Sequence, residues 1–499
     1  MQKLIQIHAK DNVAVAIAPL KEGESYEVGK MRITVKEEIP AGHKMAIKPI
    51  EEEGPVIKYG HLIGYATKAI EAGEWIHTHN MHTGLGEQLE YTYQPQASDF
   101  VQVSVPLGEE ATFEGYKRAD GSVGIRNEIW IIPTVGCVNS IVTALAKKAQ
   151  TLKEGSVEEI IAFTHPYGCS QMGEDQENTR KIIANLVRHP NAGGVLVVGL
   201  GCENSGIEVL KNYLPDHDSN RVKFMVCQDY EDEIAEGERL LQELVTYVKG
   251  FQRETIPASK LIVGLKCGGS DGFSGITANP VVGRFSDELI HQGGTTILTE
   301  VPEMFGAETI LMNRCKDEGV FEQTVKLIND FKEYFRKHGQ TIYENPSPGN
   351  KKGGISTLED KSLGCTQKSG DAPVCGVYGY AEPIVTNGLN LLSAPGNDMV
   401  AATALAASGA HLVLFTTGRG TPFAAPVPTL KISSNSDLAK RKPGWIDFDA
   451  GKVLSEGNTI TEYGKQLFNQ VLRIASGELT KSEAAGYHDM AILKGGVTL

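Results

Sequence analysis

Four cysteines stand beside glycine where an apolar run ends: Cys137 in IIPTVGCVNS, Cys169 in IAFTHPYGCSQ, Cys202 in VLVVGLGCENSG and Cys267 in LIVGLKCGGSDG. Apolar runs of this length read as buried strands. Open parallel sheets hold their ligands at the carboxyl ends of the strands, and glycine there lets the backbone turn sharply or approach a ligand. The pattern predicts one crevice lined by thiols, backbone amides and short polar side chains. A single cysteine of this kind would read as a small buried hydrophobe; four in equivalent settings point to metal binding or catalysis. A further Gly-Cys, Cys365 in SLGCTQK, falls in a turn-rich stretch. Cys227 and Cys315 lack the setting and read as structural, and Cys375 receives no role.

A second constellation is EWIHTHNMH. On a strand His77 and His79 would share a face. Two imidazoles so placed can ligate one divalent metal, with His82 a candidate third ligand; the motif by itself reads rather as a polar surface strip. The Gly-rich segments are poor nucleotide signals. GLGCENSG spaces its glycines wrongly for a dinucleotide fingerprint, and TTGRGTP lacks the Gly-Lys-Ser/Thr ending of a phosphate loop.

These side chains need elements to carry them. Residues 1–95 show short alternating runs (LIQIHA, NVAVAIA, MRITVKE, PVIKYG, EWIHTHN) separated by turn residues, which predicts an all-β module. Residues 96–115 are polar and acidic with one short apolar strip, as in a linker. From residue 116 strands alternate with helical patterns. Strands are expected at 129–134, 159–164, 194–199, 222–227, 261–266, 295–299 and 411–416, which implies parallel sheet covered by helices. A break near 250–258 divides this body into two lobes. The stretch 343–375 is too long for a plain connector and reads as a lid or binding loop; its lysines suit an anionic ligand or a solvated surface equally.

The 499 residues are 41% hydrophobic and 22% charged, as in a globular protein of two or three domains. A net charge of −14 argues against nucleic acid and anionic membranes as partners. No apolar stretch approaches the roughly 18 residues of a spanning helix, and the N-terminus does not read as a signal peptide. A cytoplasmic location is expected, where the eight cysteines would be reduced.

The segments VIKYGHLIGYA, HTHN, GIRNEIWIIPTVGCVN, HPYGCSQMGED, GLGCEN, CGGSDGFSGITANP, TEVPEMFGAE, YENPSPGNKKGGISTLEDKSLGCTQK, LNLLSAPGND and TTGRGTP, in this order over nearly the whole chain, resemble the altronate dehydratase family, whose relatives include galactarate dehydratase. The resemblance implies a hydro-lyase that converts D-altronate to 2-dehydro-3-deoxy-D-gluconate in hexuronate breakdown, with a related sugar acid such as galactarate as the alternative. It implies a divalent metal, ferrous or else manganous, and no NAD. It also implies a β-clip (SAF-like) domain over 1–95, a linker over 96–115, an α/β domain forming a homodimer over 116–250, and a Rossmann-like catalytic domain over 251–499. A nicotinamide-dependent oxidoreductase and a non-enzymatic carbohydrate-binding protein are remote alternatives.

Dehydration of a 2,3-dihydroxy acid removes the C2 proton and expels the C3 hydroxide. The dianionic enediolate between these events needs a metal or fixed positive charge. His77 and His79 are accordingly candidate metal ligands, with Cys169, Cys202 and Cys267 as the alternative set. Arg126 and Arg419 are candidates for the substrate carboxylate, although each could serve equally as a structural ion pair. His165, Glu174 and Asp271 are candidate acid–base groups, and Asn204, Asn279 and Asn397 candidate partners of sugar hydroxyls. The Gly-Cys sites lie on separate strands with no Cys-x-x-Cys pair, so a mononuclear ion is expected rather than an iron–sulfur cluster; thiols on non-adjacent strands would stand too far apart.

Overall fold

The structure is a computed structural model that describes residues 3–86, 90–96, 100, 110–342, 345–455, 457 and 459–497. Its N-terminal module is antiparallel β structure. The strands Leu4–Ile5, Val13–Ala16, Lys44–Ala46 and Trp75–Ile76 form one sheet in that order. A hairpin, Ser25–Val28 with Met31–Thr34, and a three-stranded sheet led by Pro55–Lys58 and His61–Ala66 complete it. The turn between the last two strands places Tyr59 (φ 58°) and Gly60 (φ 77°) both in the left-handed region, as a type I′ hairpin turn demands.

The predicted strand EWIHTHN is a strand only at Trp75–Ile76. Asn80 N–H then donates to His77 O (3.0 Å) and closes a turn. His77 and His79 thus do not alternate along a strand as expected.

Of the predicted linker, residues 97–99 and 101–109 lie outside the described residues, and its last part belongs to the strand Thr112–Lys117. That strand pairs antiparallel with Glu254–Pro257, in the predicted break near 250–258. The next sheet is wholly parallel, in the order Ile160–Ala162, Glu128–Pro133, Ala192–Gly199, Val222–Val226. Alternate side chains of its central strand serve two cores. Ile129 and Ile131 pack with Leu145 and Leu244 of helices Asn139–Ala149 and Glu233–Val248. Trp130 and Ile132 pack with Ile182 and Leu186 of helix Gly173–Arg188. That helix also meets helix Asp398–Ala407, so the two α/β units share one core.

The C-terminal unit is a seven-stranded parallel sheet in the order Val374–Tyr378, Gly388–Leu392, Thr295–Leu298, Ile262–Cys267, Leu412–Thr417, Thr429–Ser433, Phe448–Asp449. The first of these in the chain, Ile262–Cys267, lies at the centre. The chain passes to its neighbour Thr295–Leu298, then to the edge strand Val374–Tyr378, returns to Gly388–Leu392 between them and finally adds the other side in order; this change of side opens a crevice at the carboxyl end of the central strand.

Two expectations are corrected here. The stretch 343–375, read as a loop, carries helices Pro348–Lys352 and Leu358–Thr366 (residues 343–344 lie outside the described residues). Ser347 and Thr357 cap them, each side chain accepting a backbone N–H of the first turn. Every residue of 358–366 is buried, so its polar residues mark internal pairing where a solvated loop was expected. Moreover, three of the four Gly-Cys strands are neighbours in one sheet, while Cys267 belongs to the other sheet. The predicted set Cys169, Cys202 and Cys267 therefore does not share one edge, and the premise of non-adjacent strands fails for Cys137, Cys169 and Cys202.

Candidate active site and metal centre

Cys267 ends the central strand, at the point where strand order reverses. Across that point Arg419 follows the strand Leu412–Thr417, and the backbone N–H groups of Gly418 and Arg419 donate to Gly269 O (3.1 and 3.0 Å). The Arg419 side chain is exposed and has no hydrogen-bond partner among the described residues. A cation held at a strand-end crevice by its own backbone is placed to take an anionic ligand bidentately.

Behind this rim lies a buried cluster. Cys267 and Cys365 thiols both donate to Glu303 Oε2 (3.1 and 3.2 Å), and their sulfurs are 3.4 Å apart. Among the described residues these are the one group of three His, Cys, Asp or Glu side chains whose ligand atoms lie within 4.8 Å of one another. Lys361 donates to Glu303 Oε1 (2.6 Å). Lys266 bonds Glu300 and donates to Asp398 Oδ1 (2.9 Å). Lys368 stands 3.6 Å from Glu300 Oε2. Glu300, in a left-handed conformation (φ 66°), is the strained residue that aims its carboxylate back at Cys267 N–H (2.9 Å).

Charge decides what this cluster can hold. Three ammonium groups face three carboxyl groups, and burial and then the Glu303 charge raise that of Glu300. Burial works to raise Glu303, but Lys361, Lys266 and Lys368 outweigh it and keep the carboxylate ionised. The hydrogen bond with Cys267 and then burial push the Cys365 thiol well up. A divalent cation that displaced both thiol protons would leave the net charge unchanged. Two soft sulfurs and a carboxylate also suit ferrous iron. The donor set fits a divalent metal.

The β module faces this unit through glycines that leave no room for a side chain. A Cβ on Gly272 would lie 1.9 Å from Gly42 O, and one on Gly275 2.2 Å from the Tyr59 hydroxyl. Lys44 (2.8 Å) and Lys58 (2.9 Å) both donate to Asp360, and all three side chains are buried. Next to Lys44, His43 Nε2 bonds Lys352 O (3.3 Å) and its Nδ1 accepts from Trp75 Nε1 (3.2 Å). His77 stacks on Trp75 (centroids 5.5 Å), His79 packs against the same ring (5.1 Å), and His43 meets His77 edge-on (5.0 Å). His77 Nδ1 is buried without a partner. Burial, then the Lys44 charge, lowers both His43 and His77 to about 4.

Both imidazoles are thus neutral at pH 7, but His43 spends its two ring nitrogens on Lys352 O and Trp75 Nε1, so among the described residues it is His77 Nδ1 that stays free to accept a proton or a metal. The unfolded chain binds their protons near pH 6.5 and the folded chain only near 4, so this pair removes stability as pH falls through that window. Proton NMR titration should show His43 and His77 ring signals unchanged from pH 8 to about 5 and moving only near 4; midpoints near 6.5 would mean that the pocket is wet.

The other sequence-predicted residues fall into three groups. Arg126 is buried, pairs bidentately with Glu483 (2.7 and 3.0 Å) and donates to Ile125, Ile474 and Glu478 carbonyls, which is structural work. Asn279 bridges Thr416 and Gly364 inside the core, and Asn397 caps helix Asp398–Ala407. Asp271 braces its own turn: Oδ1 accepts from Phe273 N, Ser274 and Ser434, and Oδ2 from Asn435. His165 spends both ring nitrogens on backbone, at Pro133 O and Tyr167 N. Glu174 and Asn204 are exposed on the four-stranded unit, away from the Cys267 cluster, and Cys169 and Cys202 lie there with them. His82 bonds Glu53 and Thr83 O, not the His77 group. The residues that sequence reasoning missed are His43, Lys44, Lys58, Lys266, Glu300, Glu303, Asp360, Lys361 and Lys368. Cys365 carried a signal, its Gly-Cys pair.

Three family models match the chain in series. They are the altronate/galactarate dehydratase SAF domain over residues 2–84, the second domain of D-galactarate dehydratase/altronate hydrolase over 115–249, and the D-galactarate/altronate dehydratase C-terminal domain over 258–498. The chain is 51% identical over 502 residues to an altronate dehydratase of Bacillus subtilis (strain 168), covering 100% of both chains. It is 50% identical over 497 residues to an altronate dehydratase of Escherichia coli (strain K12), covering 99% of each. To the galactarate dehydratase (L-threo-forming) of the same strain it is 36% identical over 503 residues, 97% of this chain and 95% of the other. A SAF module set on a parallel α/β body, with these matches from end to end, defines a hydro-lyase. The chain belongs to the altronate/galactarate dehydratase family.

Proposed function

We propose that this enzyme dehydrates D-altronate to 2-dehydro-3-deoxy-D-gluconate in hexuronate breakdown. The observation that carries the substrate is the end-to-end identity of 51% and 50% to two altronate dehydratases, against 36% to the galactarate enzyme. In this reading Arg419 takes the substrate carboxylate at the strand-end crevice. Lys266, Lys361 and Lys368 supply fixed positive charge where the enediolate develops. We assign the acceptor of the C2 proton to neutral His77, whose Nδ1 has no partner among the described residues and whose ring is held against His43 at the module boundary. Cys267, Glu303 and Cys365 would hold a ferrous or manganous ion, and His77 with His79 are the second candidate ligand set. Bound there, such an ion supplies Lewis acidity for the enolised carboxylate and the departing hydroxide. Elimination of water transfers no hydride, so the reading needs no nicotinamide. A cytoplasmic homodimer joined through the second domain is part of the same proposal; among the described residues no helix is long and apolar enough to cross a membrane.

Purified protein with ferrous ion and a reductant should turn D-altronate into a 2-keto-3-deoxy acid with no nicotinamide added. Turnover of galactarate but not altronate would replace the substrate, and a requirement for NAD would overturn the reaction class as well.

A further inference from the structure

The four-stranded sheet carries three thiols that the dehydration reading does not use. Cys137, Cys169 and Cys202 are exposed, whereas Cys227, Cys267, Cys315 and Cys365 are buried and Cys375 is half-buried. Their strands are immediate neighbours, with that of Cys137 in the middle. Pro133 pairs with Val198, and Cys137 and Cys202 each lie four residues further along, so the two thiols leave the sheet in register.

The loops that bear them are tied to one another in a closed triangle. Gly136 N–H donates to Tyr167 O (2.8 Å), joining the first loop to the second. Ser205 N–H donates to Gly168 O (3.3 Å), joining the third to the second. Thr134 Oγ1 donates to Glu203 Oε1 (2.5 Å), joining the first to the third. Ser170, next to Cys169, is held at φ 58°, a strained conformation for a residue with a side chain. Helices Asn139–Ala149 and Gly173–Arg188 begin just beyond Cys137 and Cys169, at the same edge.

We propose that Cys137, Cys169 and Cys202 hold a four-iron, four-sulfur cluster through three thiolates, with one iron left without a cysteine. Ligand sulfurs round a single tetrahedral ion stand about 4 Å apart. These three do not converge within 4.8 Å of one another, as the Cys267 group does; a cluster of several irons takes its thiolates from further apart. Each thiol gives its proton to solvent on ligation. The exposed edge leaves the fourth iron open to water or a small oxygen ligand, and Asn204, whose Oδ1 lies 3.9 Å from Cys169 Sγ, borders it. This site is separate from the Cys267 cluster, which lies in the other sheet.

The test is anaerobic reconstitution of the full chain with ferric iron, sulfide and a thiol reductant that reduces half of that iron, followed by visible and Mössbauer spectroscopy and by iron and acid-labile sulfide assays. About four sulfides and, counting the ferrous ion of the Cys267 group, about five irons per chain with brown colour are expected. Cys137→Ser, Cys169→Ser and Cys202→Ser should each lose the colour while keeping the native circular dichroism spectrum. The double variant Cys267→Ser/Cys365→Ser should keep it. In the Cys267→Ser/Cys365→Ser variant, iron uptake without sulfide, zinc bound at the three exposed thiols instead, or, in the wild type, colour that survives the triple serine variant would overturn the proposal. None of these readouts is activity, so the altronate assignment can fail independently.

Discussion

Cys267→Ser protein should purify folded, lose its divalent ion, and dehydrate altronate at least about a thousand-fold more slowly. Serine fills nearly the volume of cysteine but is a poor ligand for a soft ion, so the loss falls on chemistry rather than packing. Glu303→Gln should behave alike for another reason. The amide leaves Lys361 without its counter-charge and removes the anionic donor that both thiols face. Because two thiols must lose protons when the ion enters, wild-type affinity should strengthen as pH rises, and titration calorimetry in buffers of different ionisation enthalpy should detect about two protons released per ion. Metal analysis and steady-state kinetics decide the matter: a Cys267→Ser enzyme with full metal and full activity would move the ion to His77 and His79.

Asp360→Asn should destabilise the chain by about 3–5 kcal/mol, since it leaves Lys44 and Lys58 buried without the carboxylate that offsets their burial. The wild-type pH dependence follows from the same triad. Burial alone would raise the Asp360 carboxyl, but Lys44 and Lys58 overcome it and hold it far below the usual carboxylate range. A depressed folded-state value means that the unfolded chain takes up the proton first. The stabilisation is therefore complete above about pH 4 and drains away as pH falls below it. Urea unfolding at several pH values should show this slope in the wild type and its loss in Asp360→Asn. Equal stability of the two proteins at pH 7 would mean that the module boundary admits water.

Seven strands of the body were legible as apolar runs, Ala192–Gly199 and Ile262–Cys267 falling within two residues of where their sequences place them, whereas Val374–Tyr378, Gly388–Leu392, Thr429–Ser433 and Phe448–Asp449 were not expected. Which sheet each strand joins was not legible. The runs before Cys202 and Cys267 look alike, and only long-range pairing separates them. Arginines were equally opaque: Arg126 and Arg419 have the same side chain, yet one is spent on Glu483 and carbonyls inside the protein while the other reaches solvent. The helix Leu358–Thr366 misled for a physical reason. A helix buried on all sides has no apolar stripe, and its charged residues satisfy partners far away in the chain, so its composition imitates a surface loop. Lys44 and Lys58 were invisible on the same ground, since nothing near residue 50 announces a carboxylate at residue 360.

That separation in sequence has a consequence for the newly made chain. Lys58 precedes Asp360 by 302 residues and Lys44 precedes it by 316. At about 5–20 residues per second, the ribosome produces their counter-ion roughly 15 to 60 seconds after the lysines themselves. The β module can form its own strands in that interval, but its two ammonium groups must stay hydrated. Its docking face is therefore a surface held open during synthesis and closed last, when the carboxylate arrives.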